Sequence, residues 1–598
     1  MLKPTLKTAA HVITFVALGS ISLTGCVDHD YDLSKDIDLN VTIGGDELNL
    51  PVSSTAILTM DELLDLDETS SIKKATQGEY GLNAGDYVLV EEPSDGPTTS
   101  DVKVNKIVID KSGLKGDAST VKIDFPLDVA GSVIEPTGDV ITNMNLNDDN
   151  VDKQMLTATE ANCDVKINVH VTYNSSDYNG AAIIKAGTLA TFPESWTLSL
   201  KDSNTASLVE LYKSNVIKFK KDVSFHGGTD SGKGFNLVID VIKFKLGSKK
   251  GEGLYEPGHF NLDAKVVFNG NMEIDNATAQ PGKTADVRLT TTTDVTAATI
   301  NSVVGTVNPD IHVNSTTVDV NDIPDFLSNQ ENNLDIKNPQ IRVAISNNSP
   351  IKASLSAVIK AVYPADSKRA DKTIYIGEAY GKQAITLNNN GITHFCLCQT
   401  GETESGYTPI IVDELSELLS TIPQHIEISN VQVAPDTKTP VTVQLDHTYE
   451  FVTAYTAVVP FQFGGNMTLH YTTETDDWDT DLDGYNFNEV HVSMDIVNGT
   501  PFGVTPKIIA IDKAGNEMSN LTCTFSPNDG YISPNSTSTV IGVVKSTGEN
   551  LKGLSGIKVD ITANSSDGSV TLNANQTVQL NNINVSVRGG VTVDLDEI

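Results

Sequence analysis

Past residue 37 the chain alternates apolar and polar residues with a period of two, and its apolar positions are rich in β-branched side chains. Successive residues of a strand point to opposite faces, so this pattern makes half-buried strands. Val165, Ile167, Val169 and Val171 alternate with Lys166, Asn168 and His170. Val121, Ile123 and Phe125 form another such run; Val102 and Val104, then Ile107 and Ile109, form a third. Gly, Asn, Asp and Ser bound the runs, as turn residues do. At the C-terminal end Ile583, Val585 and Val587 lead into Gly589-Gly590, and Val591, Val593 and Leu595 resume, which reads as a closing hairpin. Strands that recur at short spacing, without long helices between them, pack as sheet on sheet. The expected class is all-β, a series of β-sandwich domains with a few short helices.

Three helical patterns interrupt the strands. Thr59 is placed to cap a helix over Met60 to Leu66. Asp413 to Ile422 sets Leu415, Leu418, Leu419 and Ile422 on one face, and Pro423 stops it. Asp322-Ile323-Pro324-Asp325-Phe326-Leu327 carries a proline near its start, as a one- or two-turn helix would.

The chain also repeats itself. Ile341-x-Val343-x-Ile345-x-Asn347-Asn348-Ser349-Pro350-Ile351 lines up with Val492-x-Met494-x-Ile496-x-Asn498-Gly499-Thr500-Pro501-Phe502. Each copy reads as a strand with one buried face, followed by an Asn-x-Ser/Thr-Pro corner. Proline cannot continue a central strand, so the chain must turn there. A looser copy, without the proline, runs from Ile167 to Ser176. This strand-and-corner pattern resembles that of immunoglobulin-like sandwich domains of the water-stress type, which implies tandem sandwiches. Soft joints are expected near residues 190, 320 and 475. They divide the chain into β-domains over 37–190, 191–319, 320–474 and 475–598, the last two being sandwiches.

The N-terminus carries Lys3 and Lys7, then an apolar run from Val12 to Leu23 that is too short for a comfortable membrane-spanning helix. It ends in Leu23-Thr24-Gly25-Cys26, which resembles the lipobox of bacterial lipoproteins. The resemblance implies that residues 1–25 are a cleaved signal peptide and that Cys26 becomes a lipidated mature N-terminus. Several acyl chains on one residue hold a protein to a bilayer where a single chain does not. Residues 26–36 then form an acidic tether, with Asp28, Asp30 and Asp32 just after the cysteine. Such a run resembles the surface-export signal of Bacteroidota lipoproteins. The opening Tyr31 to Leu39 resembles that of a group of outer-membrane and surface lipoproteins of those bacteria whose activity is uncharacterised. The implied location is the outer membrane, facing the cell exterior.

Lys and Arg number 41 against 78 Asp and Glu, a net charge of −37. That field repels nucleic acid and anionic head groups. Neutral glycans, proteins and divalent cations remain as partners. Cys163, Cys396, Cys398 and Cys523 are too sparse for a disulfide scaffold, although an oxidising compartment would allow two disulfides among them. Cys396 and Cys398 point to one face of a strand and are poorly placed to pair with each other.

Motifs that carry chemistry are few. Gly227 to Gly234 nearly spells a phosphate-binding loop, but Gly234 stands where a magnesium-holding hydroxyl is needed and a strand follows instead of a helix. It reads as a long hairpin loop. Asp479, Asp481 and Asp483, closed by Gly484, open like a calcium loop, and Val490 stands where an EF-hand needs glutamate. A calcium site in a β-loop is the remaining reading. His394, Cys396 and Cys398 offer a zinc-like donor set without a fourth ligand nearby. Trp196 and Trp478 are the candidate aromatic platforms for a glycan. No nucleophile elbow and no zinc-protease helix is present. The expected function is a non-enzymatic structural or adhesive role at the cell surface. A glycan-binding accessory for polysaccharide capture is the alternative, and an envelope hydrolase the second.

Overall fold

The computed structural model describes residues 40–594 apart from 44–46, 52–56, 65, 67–69, 93–95, 106, 109–116, 149–150, 229–232, 248–253, 321–324, 366, 368, 476–484, 548–553 and 566–567. Cys26 and the acidic tether, Trp478 and the three aspartates of the calcium-like loop lie outside the described residues.

The chain is all-β, and its sheets group into three units that are nested along the sequence. The outer sandwich has a seven-stranded sheet whose main path is Asn40–Ile43, Thr577–Asp594, Tyr485–Asn498, Ser536–Ser546 and Leu521–Ser526. Glu47–Pro51 and Leu58–Thr59 also pair with Thr577–Asp594. A three-stranded sheet of Thr468–Thr475, Leu554–Asn564 and Gly503–Asp512 packs against it. The middle sandwich packs a seven-stranded sheet, centred on Gln340–Asn347 and His447–Pro460, on a five-stranded one centred on Ala353–Val362 and His425–Pro435. The inner unit is built on two long strands, Met155–Asn174 and Thr284–Val307, which pair antiparallel. Two further sheets of six and four strands complete it.

Chain order therefore runs outer, middle, inner, middle, outer. Both junctions are crossed on the way in and again on the way out. Between middle and inner units, Thr98–Val104 pairs with His447–Pro460 while Val441–Gln444 joins the inner strand Thr284–Val307. Lys103 and Asp446 close this junction at 2.8 Å. Between outer and middle units, Phe461 N donates to Tyr87 O and Leu572 N to Phe461 O, both at 2.9 Å. Sheets also run across the joints expected from sequence. Met155–Asn174 pairs with Phe235–Lys245 across residue 190, Thr316–Asp319 with His425–Pro435 across 320, and Thr468–Thr475 with Leu554–Asn564 across 475.

The alternation behaves as strand geometry demands: Val165, Ile167, Val169 and Val171 are all buried. The C-terminal hairpin does not form. Thr577–Asp594 is one continuous strand, and Gly589 and Gly590 together oppose a single residue between Phe487 and Glu489. Two residues against one is a bulge, and it bends the strand without reversing it. The pairing a hairpin would have supplied comes instead from Asn40–Ile43. Of the glycine-rich stretch 227–234, residues 229–232 lie outside the described residues, and Gly234 N donates to His226 O at 2.8 Å across it. The flanking strands Val223–His226 and Phe235–Lys245 belong to different sheets.

Thr59 caps Met60–Leu63 in a full capping box, with Thr59 N donating to Glu62 at 2.8 Å. Asp413–Leu419 is a 3₁₀ helix; it buries the expected Leu415, Leu418 and Leu419. The i, i+3 spacing serves both helix types, so periodicity could not separate them. Asp325–Ser328 forms the third short helix.

The repeated corners match bond for bond. Asn347 Nδ2 donates to Ile351 O and Asn388 O, both at 2.9 Å, and its Oδ1 accepts from Ser349 N and Oγ. Asn498 Nδ2 donates to Phe502 O at 2.8 Å and Ser533 O at 3.0 Å, and its Oδ1 accepts from Thr500 N and Oγ1. The likeness extends beyond the motif. Asn390 and Asn535, both left-handed, donate backbone N–H to Ser349 O and Thr500 O and open the strands that pair with the corner-bearing ones. The looser copy does not share this wiring: Asn174 is exposed, and Ser175 Oγ caps the following turn.

Candidate functional site

Trp196 is not a platform. It is 1 % exposed, between Phe192 and Phe244 with ring centroids 6.1 and 5.3 Å away. The strand that bears it pairs with Phe235–Lys245, which turns the indole inward.

A tyrosine pair with one exposed and one half-buried ring stands elsewhere, on the middle sandwich. Tyr375 lies on Lys372–Ile376, the last strand in its sheet's order, and is 47 % exposed. The chain then makes a tight turn, Glu378–Tyr380, that brings Tyr380 back beside it with ring centroids 5.1 Å apart at 46°. Gly377 makes the turn possible. Its φ is +85°, and a Cβ there would stand 2.2 Å from Leu355 O. Ser356 Oγ accepts from Ala379 N at 3.0 Å, and Gln432 Nε2 donates to Tyr380 Oη at 3.4 Å. The result is two adjoining rings on a backbone held by hydrogen bonds, with the polar groups of Gln432 and Glu378 close by. Tyrosines of this kind present an apolar face and a polar edge together, which suits a sugar ring better than an ion.

A second aromatic cluster in the same sandwich is structural. The Arg342 guanidinium is 5 % exposed, lies 4.5 Å from the Tyr80 ring centroid and 5.0 Å from that of Tyr407, and pairs with Glu404 at 2.6 Å. Gln340 Oε1 accepts from Arg342 Nε, and Gln340 Nε2 holds Tyr80 O. Tyr80 sits at φ +55°, a rare conformation for an aromatic residue. Burial raises the Tyr80 phenol above its ordinary value. The cluster fastens the loop over residues 399–407 to the turn at 79–81.

Among the described residues the four cysteines are free thiols, spread over three different sheets. Cys163 is in the inner unit, Cys396 and Cys398 adjoin in the middle sandwich, and Cys523 is in the outer one. Burial pushes the Cys163 thiol up to about 12 and Cys523 up to about 11. Cys396 is raised by its hydrogen bond to Cys398, and the same bond lowers Cys398. A thiol titration of the purified chain in denaturant, without reductant, is expected to find all four, with Cys163 unlabelled until the denaturant is added. Recovering two or fewer would mean that disulfides form. His394 is exposed and packs edge-on against Tyr407, with ring centroids 5.4 Å apart. Among the described residues no group of three or more His, Cys, Asp or Glu side chains is placed to hold a metal.

Sequence reasoning missed Tyr375 and Tyr380, because tyrosines in an alternating strand look alike on either face. Among the described residues no helix is long and apolar enough to cross a membrane. No family model matches the chain. No curated protein matches it. Among solved structures it is similar to a protein of Parabacteroides distasonis described as secreted, at 14 % identity over 48 % of this chain and 90 % of that one, with a TM-score of 0.34. A structure of infectious bursal disease virus is similar at 9 % identity over 80 % of each chain, with a TM-score of 0.12. The functional reading therefore rests on the geometry.

Proposed function

We propose that the protein is a non-enzymatic surface protein, lipid-anchored through Cys26 in an outer membrane and facing outward, that binds neutral glycan at the Tyr375–Tyr380 pair. The observation that carries the binding role is that pair: adjacent rings, Tyr375 exposed and Tyr380 half-buried, held on a braced turn. The nested chain path supports the anchoring. The tether leads into Asn40–Ile43, which pairs with the last strand of the chain. The outer sandwich is thus tied to the tether directly, and the glycan site belongs to the next unit along. The net charge of −37 favours a neutral ligand over an anionic one.

Two experiments test the proposal. In affinity electrophoresis through a panel of neutral polysaccharides, Tyr375→Ala should lose most of the retention shown by the parent, roughly tenfold in affinity for one stacked ring. Unchanged mobility of the parent across the panel would remove the glycan reading. Protease shaving of intact cells should trim the protein while a periplasmic control survives; protection until the outer membrane is broken would place it on the periplasmic side.

A further inference from the structure

Between the two sheets of the outer sandwich lies an apolar cavity of about 250 Å³. Ile496 and Val578 line it from the larger sheet, Val504 and Ala563 from the smaller, and Met60 and Leu63 from the short capped helix. The space between the sheets of the middle sandwich measures only about 60 Å³.

The shared corner allows the two sandwiches to be compared position by position. Phe451 pairs with Asn347 in the middle sandwich as Val578 pairs with Asn498 in the outer one. Phe395 pairs with Val343 as Val540 pairs with Met494. Two phenyl rings, 1 % and 2 % exposed, thus fill the middle core where two isopropyl groups stand in the outer core. Of the two valines, Val578 lines the cavity, and its smaller side chain stands there where Phe451 fills the space between the middle sheets.

The corner's polar groups in the wall are already committed. Both Asn498 amide hydrogens go to carbonyls and its Oδ1 accepts twice, once from the Thr500 hydroxyl. Apolar spaces of this kind stay dry and take up hydrocarbon. Left empty, one forfeits the contacts that close-packed cores retain. Since a cavity of about 150 Å³ holds a six-carbon ring, this one has room for roughly ten carbons. We infer that the outer sandwich binds one aliphatic chain, acyl or alkyl, between its sheets. Its polar head stays outside the cavity, which offers no partner of the corner to receive it.

The test uses the full chain and sodium decanoate below its micellar concentration. Calorimetric titration should give saturable uptake of one decanoate per chain and a melting temperature that rises by a few degrees. Val578→Phe installs the residue of the middle sandwich. It should raise the ligand-free melting temperature and weaken uptake at least about tenfold. If that variant does not fold, Ala563→Leu is measured in its place. No saturable uptake by the parent, or uptake by the folded cavity-filling variant equal to the parent's, overturns the inference. A further comparison, which alone rests on the anchoring proposed above, separates the sources of the chain. If the natural occupant is a separate lipid, the lipidated protein and Cys26→Ala take up decanoate equally; if it is the protein's own anchor, only Cys26→Ala does. Uptake by neither overturns the inference.

Discussion

Replacing Asn498 by alanine is expected to destabilise the outer sandwich by about 3–4 kcal/mol, because it strips a buried corner of its partners in one step. Asn498 is 2 % exposed and Thr500 6 %. The substitution leaves the carbonyls of Phe502 and Ser533 and the N–H of Thr500 without the side chain that satisfied them. Each buried orphan costs about 1–3 kcal/mol, and partial relaxation keeps the total below the sum. Asn347→Ala should cost the middle sandwich a similar amount, since Asn347 is fully buried and makes the same bonds. Asn174→Ala is the control. That asparagine is exposed and outside the wiring, so its loss should stay within about 0.5 kcal/mol. Scanning calorimetry of the full chain reads all three as shifts of individual transitions. A loss below about 1 kcal/mol for Asn498→Ala would mean that the corner is not what holds the chain at its turn.

Trp196→Ala should be as damaging, at about 3–5 kcal/mol, the usual cost of emptying a large aromatic site in a core. The indole closes a cluster with Phe192, Phe244 and Phe260, each at most 1 % exposed. Its ring nitrogen is buried without a hydrogen-bond partner among the described residues. Trp196→Phe should therefore cost much less than the alanine change, since it keeps a ring and removes an unsatisfied donor. Neither variant, where folded, should alter glycan retention. Loss of retention by Trp196→Ala with an unchanged melting profile would return Trp196 to the role of a platform and count against Tyr375.

Much of the architecture was legible because strand periodicity is local. Val165 to Val171 announces its own buried face, and the corner motif announces its own turn. The helix over Asp413–Leu419 shows where that legibility ends. Its apolar face was right, but 3₁₀ and α geometry differ in hydrogen bonds that spacing does not encode. The C-terminal glycines show it again. Gly589-Gly590 permits either a turn or a bulge, and the choice fell to distant partner strands, Tyr485–Asn498 opposite the bulge and Asn40–Ile43 beyond it. The candidate site was not legible at all. Nothing in Lys372 to Tyr380 says which ring will face solvent until a sheet covers one side of the strand.

By itself, then, the sequence determined the strands, the two corners and the sign of the surface charge, all of which depend on residues within a few positions or on composition. Only the tertiary structure decided the nested path, the Tyr375–Tyr380 pair and the unequal cores of the two sandwiches. Those depend on which distant strands meet, and a period of two states only that a face will be covered, leaving open what covers it and how completely.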